Sequence, residues 1–242
     1  MEPVSQAAIV LIISLSLSLA CWKLGMLTGG GAVATFFTGS AVGLLGSPEW
    51  FAILMIFTVT GLVATRIGFS KKAEKGVQEG ADGERSSRNI LGVGLPPCFV
   101  AAIFFLVGGR YQMELTIAFI STLAVAAADT IASEIGVRDE RVWLITCFKR
   151  VIPGTNGGIS AIGTAASLLA SLIISALGWL IIFGTLDIWL LIPAAAGFFG
   201  NILDSLFGAL FEDRGYFSKY TNNCVTAMLG AAFGAILYVL LV

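Results

Sequence analysis

Eight stretches of this chain are apolar over about the 17 to 25 residues that a helix needs to cross hydrocarbon: 4–20, 29–46, 50–66, 91–108, 115–135, 158–183, 187–211 and 222–241. Lipid offers no partner to a backbone N–H or C=O, so each such stretch must satisfy its own hydrogen bonds as a helix. The expected fold is therefore an all-α, polytopic integral membrane helix bundle of about eight transmembrane helices, one transmembrane domain over 1–242. Composition agrees: 57% of residues are hydrophobic and 12% charged, against about half and a quarter in soluble domains. The second stretch is short and glycine-rich, and only a "GSPE" turn separates it from the third. That pair could instead form a re-entrant hairpin.

The polar intervals set the orientation. If all eight stretches cross, thirteen of the fourteen basic residues share one side and Arg110 stands alone on the other. The positive-inside rule then puts the long loops in the cytoplasm and both termini outside. Residues 67–90, rich in Gly, Ser and mixed charge, read as a flexible basic cytoplasmic loop. That loop can touch lipid headgroups, or bind phosphate through Lys71, Lys72 or Arg88. No basic n-region precedes residues 4–20, so a cleaved signal is not expected. The net charge is −1 and no broad basic stripe occurs, which excludes nucleic-acid binding. Cys21, Cys98, Cys147 and Cys224 lie far apart without metal or disulfide spacing and read as packing residues.

Ionisable side chains inside a span cost at least about 2.5 to 3.5 kcal/mol each and mark function by default. Asp129, Glu134 and Asp204 are the clear cases, within a motif region spanning 126–226. Asp129 lies about 9 Å from the inner end of helix five at 1.5 Å per residue, and Asp204 lies at a matching depth in helix seven. Two such carboxylates suit magnesium, which takes one or two protein carboxylates and completes its shell with phosphate oxygens and water. Asp129 and Ser133 share a face, whereas Asp129 and Glu134 are about 140° apart on an ideal helix. Glu134 can join the metal only if the helix ends or bends, which Gly136 would allow. Asn201, Asp204, Ser205 and Gly208 form one stripe, which Gly197 and Gly200 extend as a close-packing face.

The turn "PGTNGGIS" leads into helix six, and its Gly154, Gly157 and Gly158 allow amide groups to curl round an anion at a helix N-terminus. Lys149 and Arg150 just before it can supply countercharge. Thr221, Asn222 and Asn223 at the start of helix eight add polar groups on the same side, or simply cap that helix. The chain has no histidine, so hydrolysis by histidine chemistry is excluded.

The strings "ADTIASEIG", "FKRVIPGTNGGISAIGTAASLLAS", "AGFFGNILDSLFGALFE" and "NNCVTAMLGA" occur in an order that resembles the phytyl-phosphate kinase family of the vitamin E (tocopherol) pathway. That family is in turn similar to polyprenol kinases and membrane cytidylyltransferases. The resemblance implies phosphoryl transfer from CTP, or another nucleoside triphosphate, to an isoprenoid monophosphate such as phytyl or geranylgeranyl phosphate. It also implies a site built from Asp129, Ser133, Glu134, Gly154, Thr155, Asn156, Gly157, Gly158, Asp204, Asn222 and Asn223. A phosphate monoester, with second pKa about 6, is already largely a dianion at neutral pH, so such an acceptor needs positioning and charge neutralisation rather than a general base.

The full expectation is a membrane kinase with Asp129, Asp204 and Glu134 at magnesium and Lys149 neutralising charge. Ser133, residues 154–158, Asn201, Asn222, Asn223, Lys71 and Arg88 are assigned to nucleotide and phosphate. A lipid cytidylyltransferase, a polyprenol kinase acting on an alcohol, and a cation-coupled secondary transporter are the alternatives. An oligomer is compatible with all of them.

Overall fold

Among the residues described by the computed structural model, 3–76, 78 and 80–242, eight long helices form the bundle. They are α1 (Pro3–Lys23), α2 (Gly29–Leu45), α3 (Pro48–Glu74), α4 (Ser87–Val107), α5 (Gln112–Gly136), α6 (Ala161–Phe183), α7 (Leu191–Phe207) and α8 (Lys219–Leu241). Seven helical stretches are long and apolar enough to cross a membrane. One of these takes in a 3-10 turn (Ile188–Leu190) before α7 and a π-helical turn (Gly208–Glu212) after it. The 17-residue α2 is the shorter apolar helix, about 25 Å long at 1.5 Å per residue. The chain is an integral membrane helix bundle, as its hydropathy predicts.

Local sequence explains where the helices begin and end. Thr28, Ser47, Ser160 and Ser218 each accept a hydrogen bond from the backbone N–H three residues on and so cap α2, α3, α6 and α8, satisfying a donor with no partner inside the helix. Pro48 follows the Ser47 cap at the position where its missing N–H costs least. Gly108 and Gly184 end α4 and α6 in the left-handed conformation.

The centre of the bundle is α5, which packs against α3, α4, α6, α7 and α8. Lipid tails are as apolar as leucine, so close packing rather than water exclusion holds such helices together. Trp50 of α3 stacks on Phe119 of α5 with ring centroids 4.3 Å apart, and both rings are buried. On the opposite side α7 and α8 approach α5 through glycine. A Cβ added at Gly200 or Gly230 would come within 2.4 or 2.5 Å of Val125 Cγ2.

Two segments differ from the sequence expectation. The interval 67–90, read as a flexible loop, is helical to Glu74 and again from Ser87. Arg85 N–H donates to Met26 O and Thr28 N–H to Arg85 O, which ties the interval to the α1–α2 connection. Within it the Glu84 carboxylate accepts the N–H groups of Asp82 and Ala81 at 2.7 and 3.1 Å, and these bonds, that of Asp82 foremost, hold its carboxyl below the usual range. The segment between α5 and α6 is not bare loop. It forms a three-stranded antiparallel sheet of β1 (Val142–Leu144), β2 (Arg150–Val151) and β3 (Gly158–Ile159), in the order β2-β1-β3.

Candidate functional site

The C-terminal turns of α5 and α7, the last turn of α3, the first turns of α6 and α8, and the 154–160 turn meet at one end of the bundle. They enclose a cavity of about 270 Å³. From α5 come Asp129 and Ser133, one helical turn apart on the same face, from α7 come Asn201, Asp204 and Ser205, and from the π-helical turn Gly208. Lys72 from α3 and Lys219, the first residue of α8, bring two ammonium groups to the same walls. Gly154, Thr155, Gly157, Gly158 and Ser160 complete the rim. Carboxylates and cations face one space in a largely apolar protein, an arrangement that desolvation strongly opposes without a ligand or partner to match it.

Asp204 is held from α8. Its Oδ1 accepts the Thr226 hydroxyl at 3.2 Å, and its backbone carbonyl accepts Asn222 Nδ2 at 3.0 Å. Asn222 and Thr226 are fully buried, so the α7 carboxylate is oriented by residues that themselves cannot move freely. The π-helical turn directly after Phe207 is a feature that recurs at functional sites. The 154–158 turn rests on it. Gly157 has φ +73°, and a Cβ there would stand 2.4 Å from Ala209 Cβ and 2.7 Å from the Ser205 carbonyl. Asn156 is exposed and fastens the turn from outside by donating to Asp213 Oδ1 at 3.0 Å.

Glu134 takes a different place from the one expected. Helix α5 runs unbroken to Gly136, so the five-residue offset from Asp129 persists and the Glu134 carboxylate faces α3. There Lys72 Nζ donates to Glu134 Oε1 at 2.9 Å, and both side chains are only 6% exposed. Among the described residues no group of three or more His, Cys, Asp or Glu side chains could hold a metal. With Glu134 paired to Lys72, Asp129 and Asp204, on neighbouring helices, are the two carboxylates that line the cavity. Two carboxylates still fit magnesium, whose remaining positions go to phosphate oxygens and water.

Part of the expected amide cradle is engaged within the turn. Thr155 N–H donates to Ile152 O and Gly158 N–H to Thr155 O, so these two amides serve the turn itself. Lys72, Lys219 and the first turn of α6 line the cavity beside it.

The profile of the DUF92 family of integral membrane proteins matches residues 12–235, from within α1 to within α8 and across every residue of the cavity. The chain belongs to that family. It is 32% identical over 239 residues to an uncharacterised membrane protein of Methanocaldococcus jannaschii, covering 98% of this chain and 97% of that one. Identity to the chloroplast protein VTE6 of Arabidopsis thaliana is 29% over 223 residues, covering 89% of this chain and 65% of VTE6. An uncharacterised membrane protein of Synechocystis is 30% identical over 193 residues, or 78% of this chain and 73% of its own. No solved structure matches.

In this DUF92 member the cavity gathers Asp129, Ser133, Gly154, Thr155, Gly157, Gly158, Asn201 and Asp204 from the expected set. A small adjoining cavity adds Glu134 and Asn223. Asn222 stands behind Asp204 rather than in the cavity. Lys149 lies exposed in the turn between β1 and β2, and Arg88 is exposed on α4; neither lines the cavity, and the Lys71 side chain lies outside the described residues. Sequence reasoning missed Lys219, counted only as a topological charge, and Ser160, Thr164 and Thr226. Lys72 was visible only as one of several loop cations, because α3 was expected to stop at residue 66.

Proposed function

We propose that this membrane protein is a phosphotransferase that moves the terminal phosphoryl group of a nucleoside triphosphate, CTP by resemblance, onto an isoprenoid monophosphate. The observation that carries the reading is that carboxylates of Asp129 and Asp204 and ammonium groups of Lys72 and Lys219 line one cavity. An acceptor phosphate and a triphosphate are both polyanions, and phosphoryl transfer is mainly a matter of holding them in line and neutralising charge as the bond shifts. Asp129 and Asp204 would hold magnesium, which would supply neutralising charge to the phosphates; Thr226 and Asn222 orient Asp204 for that role. Lys72, steadied by Glu134, and Lys219 take the neutralising role first assigned to Lys149.

In the transfer an oxygen of the acceptor monophosphate forms a bond to the terminal phosphorus, the bond to the bridging oxygen breaks, and nucleoside diphosphate leaves. The acceptor oxygen carries no proton to remove. The absence of histidine from the chain is compatible with that chemistry. Similarity to VTE6 and the motifs shared with the phytyl-phosphate kinase family support the same reading. The excess of basic residues at the cavity's end of the bundle supports a cytoplasmic site, where nucleotide is available.

The test is a screen of nucleoside triphosphates with phytyl, geranylgeranyl and farnesyl monophosphates and the matching alcohols, with and without magnesium. Turnover of a monophosphate to the diphosphate with magnesium is expected. Turnover of the alcohols alone would favour a polyprenol kinase, and cation-driven flux in liposomes without nucleotide turnover would favour a transporter.

A further inference from the structure

The polar cavity opens sideways. Ile159, Ser160 and Thr164 line it on one side, and on the other they line an open apolar groove of about 460 Å³ between α6 and α7. The groove follows one face of α6 through Ala161, Ala165 and Leu168, meets Phe198 of α7, and is roofed by Trp143 of β1 and Phe148 of the β1–β2 turn. Small side chains at Ala161 and Ala165 keep its floor low where it leaves the cavity. Leu168, 51% exposed, carries it out to the lipid-facing surface. From Ser160 to Leu168 the path along α6 is about 12 Å at 1.5 Å per residue.

The roof is built with some strain. Phe148 has φ +52°, a left-handed conformation uncommon for a bulky residue, and the residue is 72% exposed. It is kept there by its N–H donating to Leu144 O and by Leu144 N–H donating to Lys149 O, both at 2.8 Å. Observed strain of this kind points to use, and the ring projects over an apolar trough beside two cations, Lys149 and Arg150.

We infer that the α6–α7 groove seats the hydrocarbon tail of an amphiphilic phosphate whose headgroup lies in the polar cavity. The inference rests on the phosphotransferase reading above for the nature of the headgroup. Continuity selects this groove over a second apolar trough, about 290 Å³ between α3, α5 and α6. That trough shares no lining residue with the polar cavity; it touches the small side cavity at Thr130 and another small cavity at Phe57 and Gly61. A tail lying there could reach the polar cavity only through that side cavity, which at about 20 Å³ is too small for a phosphate and is lined by the Lys72–Glu134 pair. A tail leaving past Thr164 lets the phosphate face Lys72 and Lys219 while the chain passes into lipid between two helices. Because the groove ends at the bilayer after about two turns of α6, it grips only the proximal part of the tail and tolerates different lengths beyond it.

The experiment uses the full-length protein in nanodiscs and an alkyl monophosphate carrying a photoreactive diazirine a few carbons from the phosphate. Cross-links are expected on residues 161–168 and Phe198, and they should be competed by geranylgeranyl monophosphate but not by geranylgeraniol. Cross-links centred on Ile131, Ile173 and Leu177, or labelling that no monophosphate competes, would overturn the proposal. Photolabelling needs no phosphoryl transfer, so competed labelling in the α6–α7 groove without turnover would sustain the groove while removing the kinase reading. With turnover in hand, Ala165→Trp should raise KM for the long-tailed acceptor about tenfold or more, whereas Ile173→Trp in the other trough should not. The reverse pattern would contradict the assignment.

Discussion

Lys72 and Glu134 are each tolerated out of water because of the other. Removing one partner of such a pair strands a buried charge and costs about 3 to 5 kcal/mol, while replacing both by apolar residues of similar size is often neutral. Glu134→Ala should therefore lower the thermal stability of the detergent-solubilised protein markedly. The double variant Lys72→Met/Glu134→Met should recover most of that loss yet remain inactive, because Lys72 also lines the cavity. Recovery of activity along with stability would show that Lys72 acts only in folding. Asp129→Asn and Asp204→Asn should each reduce kcat/KM by at least about 100-fold, the scale for losing one preorganised charge contact, with melting temperature little changed. At this scale the sequence was informative wherever a charge had no excuse to be in a span, which is how Asp129 and Asp204 stood out. Glu134 looked alike by that criterion. Its 140° offset from Asp129 was legible, but its partner sits 62 residues away on another helix, and no local pattern reveals such a pairing.

Among the elements, α7 and its π-helical turn carry the tightest constraints. Gly200→Ala would push a methyl group to 2.4 Å from Val125 Cγ2, and overpacking of that kind costs about 1 to 3 kcal/mol. A Val125→Ala change made together with it should restore stability, which a melting series on the four variants would show. Gly157→Ala meets both Ala209 and the Ser205 carbonyl at positive φ, so it should lift the 154–158 turn off α7 and cut activity more than stability. The spans themselves were legible because their hydropathy runs for twenty residues. The β1–β3 sheet was not, since strands of two or three residues are too short to show alternation. The two extra turns of α3 were hidden by their charge. Hydropathy ends at Arg66, but nothing between Ile67 and Glu74 breaks a helix beyond a single glycine, and reading on to Glu74 would have put Lys72 on a helix.

For the whole molecule, the C-terminal ends of α3, α5 and α7 and the N-terminal ends of α4, α6 and α8 lie together, and by sequence every basic residue except Arg110 falls in or beside the segments at that end. Cys147 is the exposed cysteine there, whereas Cys21, Cys98 and Cys224 are buried or partly buried in helices. A membrane-impermeant maleimide should accordingly label Cys147 in inside-out vesicles and not in right-side-out ones; the opposite result would invert the topology. The central claim is the direction in which phosphorus moves, and isotope position reads it directly. Purified protein is given an isoprenoid monophosphate, magnesium and CTP labelled in either the alpha or the gamma phosphorus. The gamma label should pass to the lipid, as a diphosphate, while the alpha label stays in free CDP. Alpha label on the lipid with release of pyrophosphate would contradict the account and make the protein a cytidylyltransferase.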